Sequence, residues 1–412
     1  MKWWFRQQLY TQIFICISIG VALGFFLSAE KVALIKPFGD IFINLLMMLI
    51  VPLTFFTLIS GITKLEDLRS LRSLGGMTIL YYGLSSFIAG GLGLAIALII
   101  RPGKEAMGLL GQAAEPGHFN FVENLVSWFP RNPIGAMANA EMLQIIVFSM
   151  IVGIGLILMG KKAEALTRFV NDGADLMITI TEFVMKTAPY GIMALVANMV
   201  ANMGGSMLKE VSRFLIADYL ALCVLLTVTY PLLLKFVGNV RPLRFYRNVL
   251  QPMLVAASTT SSGATLPVSI AAAEDNLGLP EKIWGFTLPL GATINMNGMA
   301  AAIGVIGVFA CNLHDIPITP ALMLQFMFLG MVLSVGAAGV KGAGLVMSSI
   351  LLSTLGLPLA LIPVLAALWP ILDIGHTACN VTGDLVGSTI IGSRMGMLDE
   401  EIFCGSRAQR AE

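Results

Sequence analysis

Charge is what this sequence has least of. Only 12% of its 412 residues are Asp, Glu, Lys or Arg, about half the share found in soluble domains, so most of the chain meets lipid rather than water. The few charges nearly cancel, to a formal +1, which gives no argument for a nucleic-acid or acidic partner. Cysteine is scarce and scattered. Cys16, Cys223, Cys311, Cys379 and Cys404 have neither metal-ligand spacing nor the density of a disulfide scaffold, and read as small buried residues or bystanders. A leader-cleavage site is also missing: Lys2 and Arg6 precede a long apolar run, but no convincing small-residue site follows before Glu30. The first helix is therefore expected to be retained.

What is abundant is apolar sequence, 57% of the chain with a mean hydropathy of +0.85. Apolar runs fall at about 9–29, 38–61, 76–100, 137–159, 175–202 and 210–238. Each approaches or exceeds the roughly 20 residues that cross about 30 Å of hydrocarbon. Alternate joins carry the denser basic clusters: Lys2 and Arg6; Lys64, Arg69 and Arg72; Lys161, Lys162 and Arg168; Lys235, Arg241, Arg244 and Arg247. That side is cytoplasmic, which puts the N-terminus inside. The join from Arg101 to Arg131, with Pro102, Pro116, Pro130 and Pro133, reads as an external segment with partial structure. Glu123, Glu141 and Glu182 sit near span ends, where interface exposure accounts for them. Lys209 marks the expected join between the fifth and sixth spans.

From Leu250 the pattern changes. Ser258 to Thr265 is a hydroxyl-rich tip between two apolar arms, each too short to cross, which points to a re-entrant helical hairpin. Pro289 to Gly298 then puts two amides, a thioether and two glycines inside an apolar segment from about 284 to 310. Polar groups at that depth are costly unless they bind something or each other, so an unwound helix with free carbonyls is expected here. A second interruption, Ser334 to Gly344 between short apolar arms, repeats the hairpin theme with small residues that allow either close approach and a hinge or a tight helix-packing interface. The last span, about 360–393, carries Asp373, His376, Thr377, Asn380, Thr382, Asp384 and Ser388. Steps of three, four and four residues from Asp373 to Asp384 gather much of this polarity on one helical face. Two acids there require compensating positive charge, which His376 and bound cations would provide.

These four motifs, in this order and spacing, resemble the dicarboxylate/amino acid:cation symporter family, the glutamate-transporter homologues. The resemblance implies an all-α polytopic membrane protein with eight transmembrane helices and two opposed re-entrant hairpins. It also implies a homotrimer in the inner membrane with both termini cytoplasmic. Residues 1–248 would form a six-helix region, with helices 1, 2, 4 and 5 as scaffold; residues 249–393, joined by helices 3 and 6, would form the moving transport core; residues 394–412 would be a tail. The implied substrate is an amino acid or dicarboxylate, with no cofactor and with Na+ or H+ as coupling cation. On the substrate side the resemblance points to Ser261, Ser262, Met299, Val340, Gly344, Asp373, His376, Thr377 and Asn380. Among these Asp373 would meet an ammonium and Asn380 an α-carboxylate. One cation site would comprise Gly291, Asn295, Asn380 and Asp384; a second, Thr293, Met296, Ser334, Val335 and Ala337; a third, Tyr82, Ser85, Ser86, Asn295 and Asn297.

The chain departs from the family pattern at four positions. Asn297 stands where the family has Asp, which removes one negative charge from the third cation site, and Met299 replaces a Thr. His376 stands where carriers of acidic substrates have an arginine, and an imidazole does not reproduce a bidentate clamp. Lys341 replaces a proline at the second tip, where it is either a second positive group facing the substrate or a solvated residue. An acidic substrate is the expectation, with a neutral one such as serine or threonine as the alternative. Two readings from other classes fit less well. An ion channel would need a repeated pore loop, and a membrane hydrolase using Ser262 would need a His-Asp partner at the same hairpin.

Overall fold

The computed structural model describes residues 9–63, 72–106, 126–336, 343–357 and 361–405, together with Trp4 and Gln7. Every regular element among them is helical. Six stretches of the described residues are long and apolar enough to cross a membrane: Lys36–Thr63, Leu74–Ile100, Gln144–Met185, Met207–Val237, Glu281–Leu313 and Ile362–Arg394. Large apolar side chains such as Phe26, Leu34, Ile99 and Phe236 are left exposed, as a surface covered by lipid requires. The chain is an all-α multi-pass membrane protein.

The principal helices are α1 Leu9–Phe26, α2 Lys36–Thr63, α3 Arg72–Ile100, α4 Met142–Met159, α5 Glu164–Met185, α6 Ala188–Val224 and α7 Pro242–Thr259. Then come α8 Ser262–Ala271, α9 Glu281–Ile294, α10 Asn297–Leu313, α11 Pro320–Gly336, α12 Ala343–Thr354 and α13 Ile362–Arg394. The expected spans 175–202 and 210–238 need correction. The first is broken at Lys186 and Thr187, ahead of Pro189, a residue suited to a helix's first turn because its missing N–H has no partner there. Beyond it α6 runs unbroken through Lys209, where a join was expected. Gly204 and Gly205 cost such a helix only about 1 kcal/mol each, and its charges are met locally. Lys209 Nζ lies 2.6 Å from Glu105, and Arg213 bridges Glu105 at 2.6 Å and the buried Glu210 at 2.7 Å. At 37 residues α6 is roughly 55 Å long, more than one bilayer crossing needs.

Three local features position the site. The first is a backbone-to-backbone crossing of α3 and α10. A Cβ on Gly93 would stand 2.0 Å from the Ala301 carbonyl oxygen, and one on Gly304 would stand 2.5 Å from that of Gly90. Glycine is required at both positions for the helices to meet. The second is the break between α9 and α10. Asn295 (φ −106°, ψ 72°) and Met296 (φ −100°, ψ 66°) leave the helical region, six residues after Pro289, which already removes one ladder bond. The third is the turn between α7 and α8. Thr260 takes the left-handed conformation (φ 50°) and Ser261 caps α8, its hydroxyl accepting from the Ala264 N–H at 3.2 Å. The arms of the second expected hairpin are α11, which takes in Ser334, Val335 and Gly336, and α12; residues 337–342 between them lie outside the described residues.

Candidate functional site

The break at Asn295 and Met296 redirects hydrogen bonds from the helix ladder to side chains. In a continuous helix the Gly298 N–H would reach the Ile294 carbonyl; here it donates to Asn380 Oδ1 at 2.7 Å. The Asn380 amide also reaches Met296 Sδ at 3.2 Å, so α13 is stitched across the gap. One turn further on, Asn295 Nδ2 donates to Asp384 Oδ1 at 2.8 Å. Asp384 is 3% exposed, and among the described residues no Lys, Arg or His pairs with it. A carboxylate so placed is costly without a compensating charge. Space for one is kept by Gly291, where a Cβ would lie 2.6 Å from Asp384 Oδ1 and 2.7 Å from the Tyr82 hydroxyl.

Beside this carboxylate lies a neutral network. Asn297 Oδ1 accepts from Ser85 Oγ at 3.2 Å and Ser86 Oγ at 3.0 Å, while its Nδ2 donates to the Tyr230 hydroxyl at 3.0 Å. Ser85 also reaches Asn295 Oδ1 at 3.2 Å, and Ser334 of α11 donates to Ser86 Oγ at 3.3 Å. Tyr82 donates to the Thr287 carbonyl at 2.6 Å and Tyr230 to that of Cys379 at 2.9 Å. Hard oxygen donors thus converge from α3, α9, α10, α11 and α13, a chemistry suited to a hard cation. No cluster of three or more His, Cys, Asp or Glu occurs among the described residues.

The opposite end of the polar face of α13 opens on a cavity of about 310 Å³, lined by Asp373, Trp369, Pro370, Ser258, Thr260 and Leu345 among others. The tip residues here are Ser258 and Thr260; Ser261 is at the cap of α8, and Ser262 is buried. His376 is 2% exposed, with Nε2 at 2.9 and 3.1 Å from the two oxygens of the wholly buried Asp218 of α6. Its ring centroid is 5.6 Å from that of Trp369. Trp369 is wedged against α12 and α10: a Cβ on Gly344 would fall 1.8 Å from Trp369 Cζ2 and 2.8 Å from Met299 Sδ. The indole Nε1 and His376 Nδ1 are both buried without a hydrogen-bond partner, each at a cost of about 1–3 kcal/mol if left so.

A sequence profile described as the Sodium:dicarboxylate symporter family matches residues 9–394. The chain belongs to that family. It is thus one of the secondary active symporters rather than an enzyme. A "Proton/sodium-glutamate symport protein" of Geobacillus stearothermophilus is 30% identical over 402 residues, covering 95% of both chains. A "C4-dicarboxylate transport protein 2" of Pseudomonas aeruginosa (strain UCBPP-PA14) is 27% identical over 406 residues, covering 96% of this chain and 92% of that one. A "C4-dicarboxylate transport protein" of Geobacter sp. (strain M21) is 28% identical over 408 residues, with the same coverage.

Of the residues that the family resemblance singles out in this symporter, two groups come together. Tyr82, Ser85, Ser86, Asn295, Asn297 and Ser334 form one linked network, and Gly291 and Asp384 abut it. Met299 and Gly344 meet at Trp369, and Thr377 is buried beside His376 in sequence. Thr293 Oγ1 is turned back on its own helix, donating to the Leu290 carbonyl at 2.8 Å. Val335 lies in α11 with its side chain outside the described residues, where Ala337, Val340 and Lys341 also lie. Sequence reasoning missed Asp218, Tyr230 and Trp369. The signal available for Asp218 was the one that drew attention to Asp373: an acid inside an apolar run.

Proposed function

We propose that this symporter carries an acidic amino acid or a four-carbon dicarboxylate across the cytoplasmic membrane, driven by a sodium or proton gradient. The observation that carries the reading is Asp384, a buried carboxylate at a helix break, surrounded by oxygen donors and lacking a cationic partner among the described residues. The relatives supply the substrate class, one being named for proton/sodium-glutamate symport and two for C4-dicarboxylate transport.

In this reading the chain makes eight crossings, and the pairs α7–α8 and α11–α12 are opposed re-entrant hairpins. Residues 1–248 hold the six-helix region, whose helices 1, 2, 4 and 5 form the static scaffold of a homotrimer. Helices 3 and 6 move with residues 249–393, and the termini, with the tail 394–412, are cytoplasmic. The candidate ligands fall into the three cation groups and the substrate group given by the family pattern. Cations entering first order the second hairpin and raise substrate affinity, and by reciprocity the substrate raises cation affinity. Closure of the hairpin over both then permits the domain to cross.

A neutral substrate is the second reading, favoured by Asp218, which already takes the His376 Nε2 that an acidic side chain would seek. Uptake into proteoliposomes under imposed sodium or proton gradients tests both, with labelled glutamate, aspartate, succinate, malate, serine and threonine. Gradient-dependent accumulation of an acid is expected. Accumulation of serine or threonine alone, or flux indifferent to both gradients, would overturn the assignment.

A further inference from the structure

Near His376 the protein leaves two polar atoms with no partner of its own. Trp369 Nε1 and His376 Nδ1 have no hydrogen-bond partner, and their side chains are almost wholly buried on neighbouring rings. Trp369, Asp373 and His376 follow one another at steps of four and three along α13, so they share one face. Trp369 also lines the cavity that Asp373 lines. His376 is not itself among the lining residues but packs against Trp369, 5.6 Å between ring centroids, and two orphaned nitrogens on rings so close await a ligand atom.

Asp218 determines what His376 offers. A carboxylate only accepts, so the Nε2 held at 2.9 Å carries a proton. The same contact fixes the orientation of the ring and leaves Nδ1, on its other side, to a different partner. Among the described residues His376 is the one cationic group in ion-pairing distance of Asp218, and a carboxylate as buried as this one needs such a partner. With the ring charged, Nδ1–H and the Trp369 indole N–H are two donors and no acceptor. The group that takes two donors at once is a carboxylate, one oxygen to each. A hydroxyl or a primary amide offers a single uncharged oxygen to the two donors and so binds them less strongly.

We propose that Trp369 is a substrate-binding residue of this symporter, and that Asp218 is a positioning residue acting through His376; together they select a distal carboxylate. The proposal rests on the acidic-substrate reading and assigns it residues. Gly344 fits it, because the bare backbone of α12 leaves room for the edge of the indole where a Cβ would collide with it.

The test is competition by glutamate against glutamine, and by succinate against its monoamide, on uptake into proteoliposomes. Wild type and the variants Trp369→Phe, Asp218→Asn and Asp218→Glu are compared, with folding checked by detergent-phase melting and elution profile. Trp369→Phe removes the N–H along with the outer edge of the indole that meets Gly344, a packing loss shared by acid and amide. It should raise the glutamate KM about tenfold more than the glutamine constant, the worth of a hydrogen bond to a charged group, with the maximal rate little changed. Asp218→Asn should narrow the acid-to-amide preference by a similar factor, and Asp218→Glu should restore it. An unchanged acid-to-amide ratio in Trp369→Phe overturns the proposal, even if Asp218→Asn fails to fold. Equal loss for acid and amide in Asp218→Asn, with no recovery in Asp218→Glu, overturns the role of Asp218. If wild type transports no acid at all, the functional reading falls, and this inference with it; if it transports acids with those ratios unmoved, only the inference falls.

Discussion

Replacing Asp384 with Asn tests the cation site with little disturbance to packing. The two side chains have nearly the same shape, and Asn retains an acceptor oxygen for Asn295 Nδ2, now 2.8 Å away. The change therefore removes a charge and little else. A cation about 4 Å from a carboxylate gains roughly 4 kcal/mol at an effective dielectric near 20. Shedding water returns part of that gain, leaving about 1–3 kcal/mol, the usual range for coupling between two bound species. At about 1.4 kcal/mol per tenfold, the cation concentration for half-maximal substrate binding should rise roughly 5- to 150-fold. Substrate binding titrated at a series of sodium concentrations and at a series of pH values, in detergent or nanodiscs, reads this directly. Affinity at saturating cation should change much less. A second readout separates the site from the fold: without cation the variant should melt no lower than wild type, because it lacks an uncompensated buried charge. Equal loss of substrate affinity at every cation concentration, or a lower melting temperature in the absence of cation, would refute the reasoning.

Asp373→Asn should abolish uptake of amino-bearing substrates while abundance and assembly stay near normal, and unchanged apparent affinity would make the residue structural. Gly93→Ala should destabilise by about 1–3 kcal/mol or more, since the new Cβ would lie 2.0 Å from backbone at Ala301 with no flexible atom to yield; melting in detergent against Gly76→Ala, whose site is open, measures it. Glu105 predicts a pH dependence outside the membrane. Hydrogen bonds from Lys209 and Arg213 hold its carboxyl below the ordinary value of 4.5, so their contribution is complete above that value and is lost as pH falls through the lowered one. Hydrogen exchange at Gly103 to Ala106, measured from pH 6 to pH 3 on wild type and Glu105→Gln, should show protection falling with acid only in wild type.

The broken helix was legible because its signals are local. Pro289, two amides and two glycines within ten residues make a continuous apolar helix implausible, and the structure breaks where they cluster. Asp218 was not legible for the opposite reason. Its partner His376 is 158 positions away, and one acid in a long apolar run gives no sign of whether it faces lipid, water or a base. Trp369 was hidden differently, since an aromatic residue in an apolar helix reads as packing until its N–H is found without a partner. The left-handed turn at Thr260 commits Ser261 to capping α8, which leaves Ser258 and Thr260 to line the cavity.

Asn297 shows how a single departure from a family pattern gains meaning from its neighbours. An aspartate there would place a second carboxylate beside Asp384, and its oxygens would still accept from Ser85 and Ser86. The atom that differs is the one facing Tyr230. Asn297 Nδ2 donates to the tyrosine hydroxyl, which itself donates to the Cys379 carbonyl at 2.9 Å. With its one proton committed there, Tyr230 has only a lone pair to offer Asn297. An amide N–H satisfies that lone pair, whereas a carboxylate would meet it lone pair to lone pair. Tyr230 and Asn297 are therefore matched, and the match leaves this corner neutral and internally satisfied. Asp384 remains as the buried charge of the network, so the demand for bound cation at the helix break is one unit lower than an aspartate at position 297 would impose.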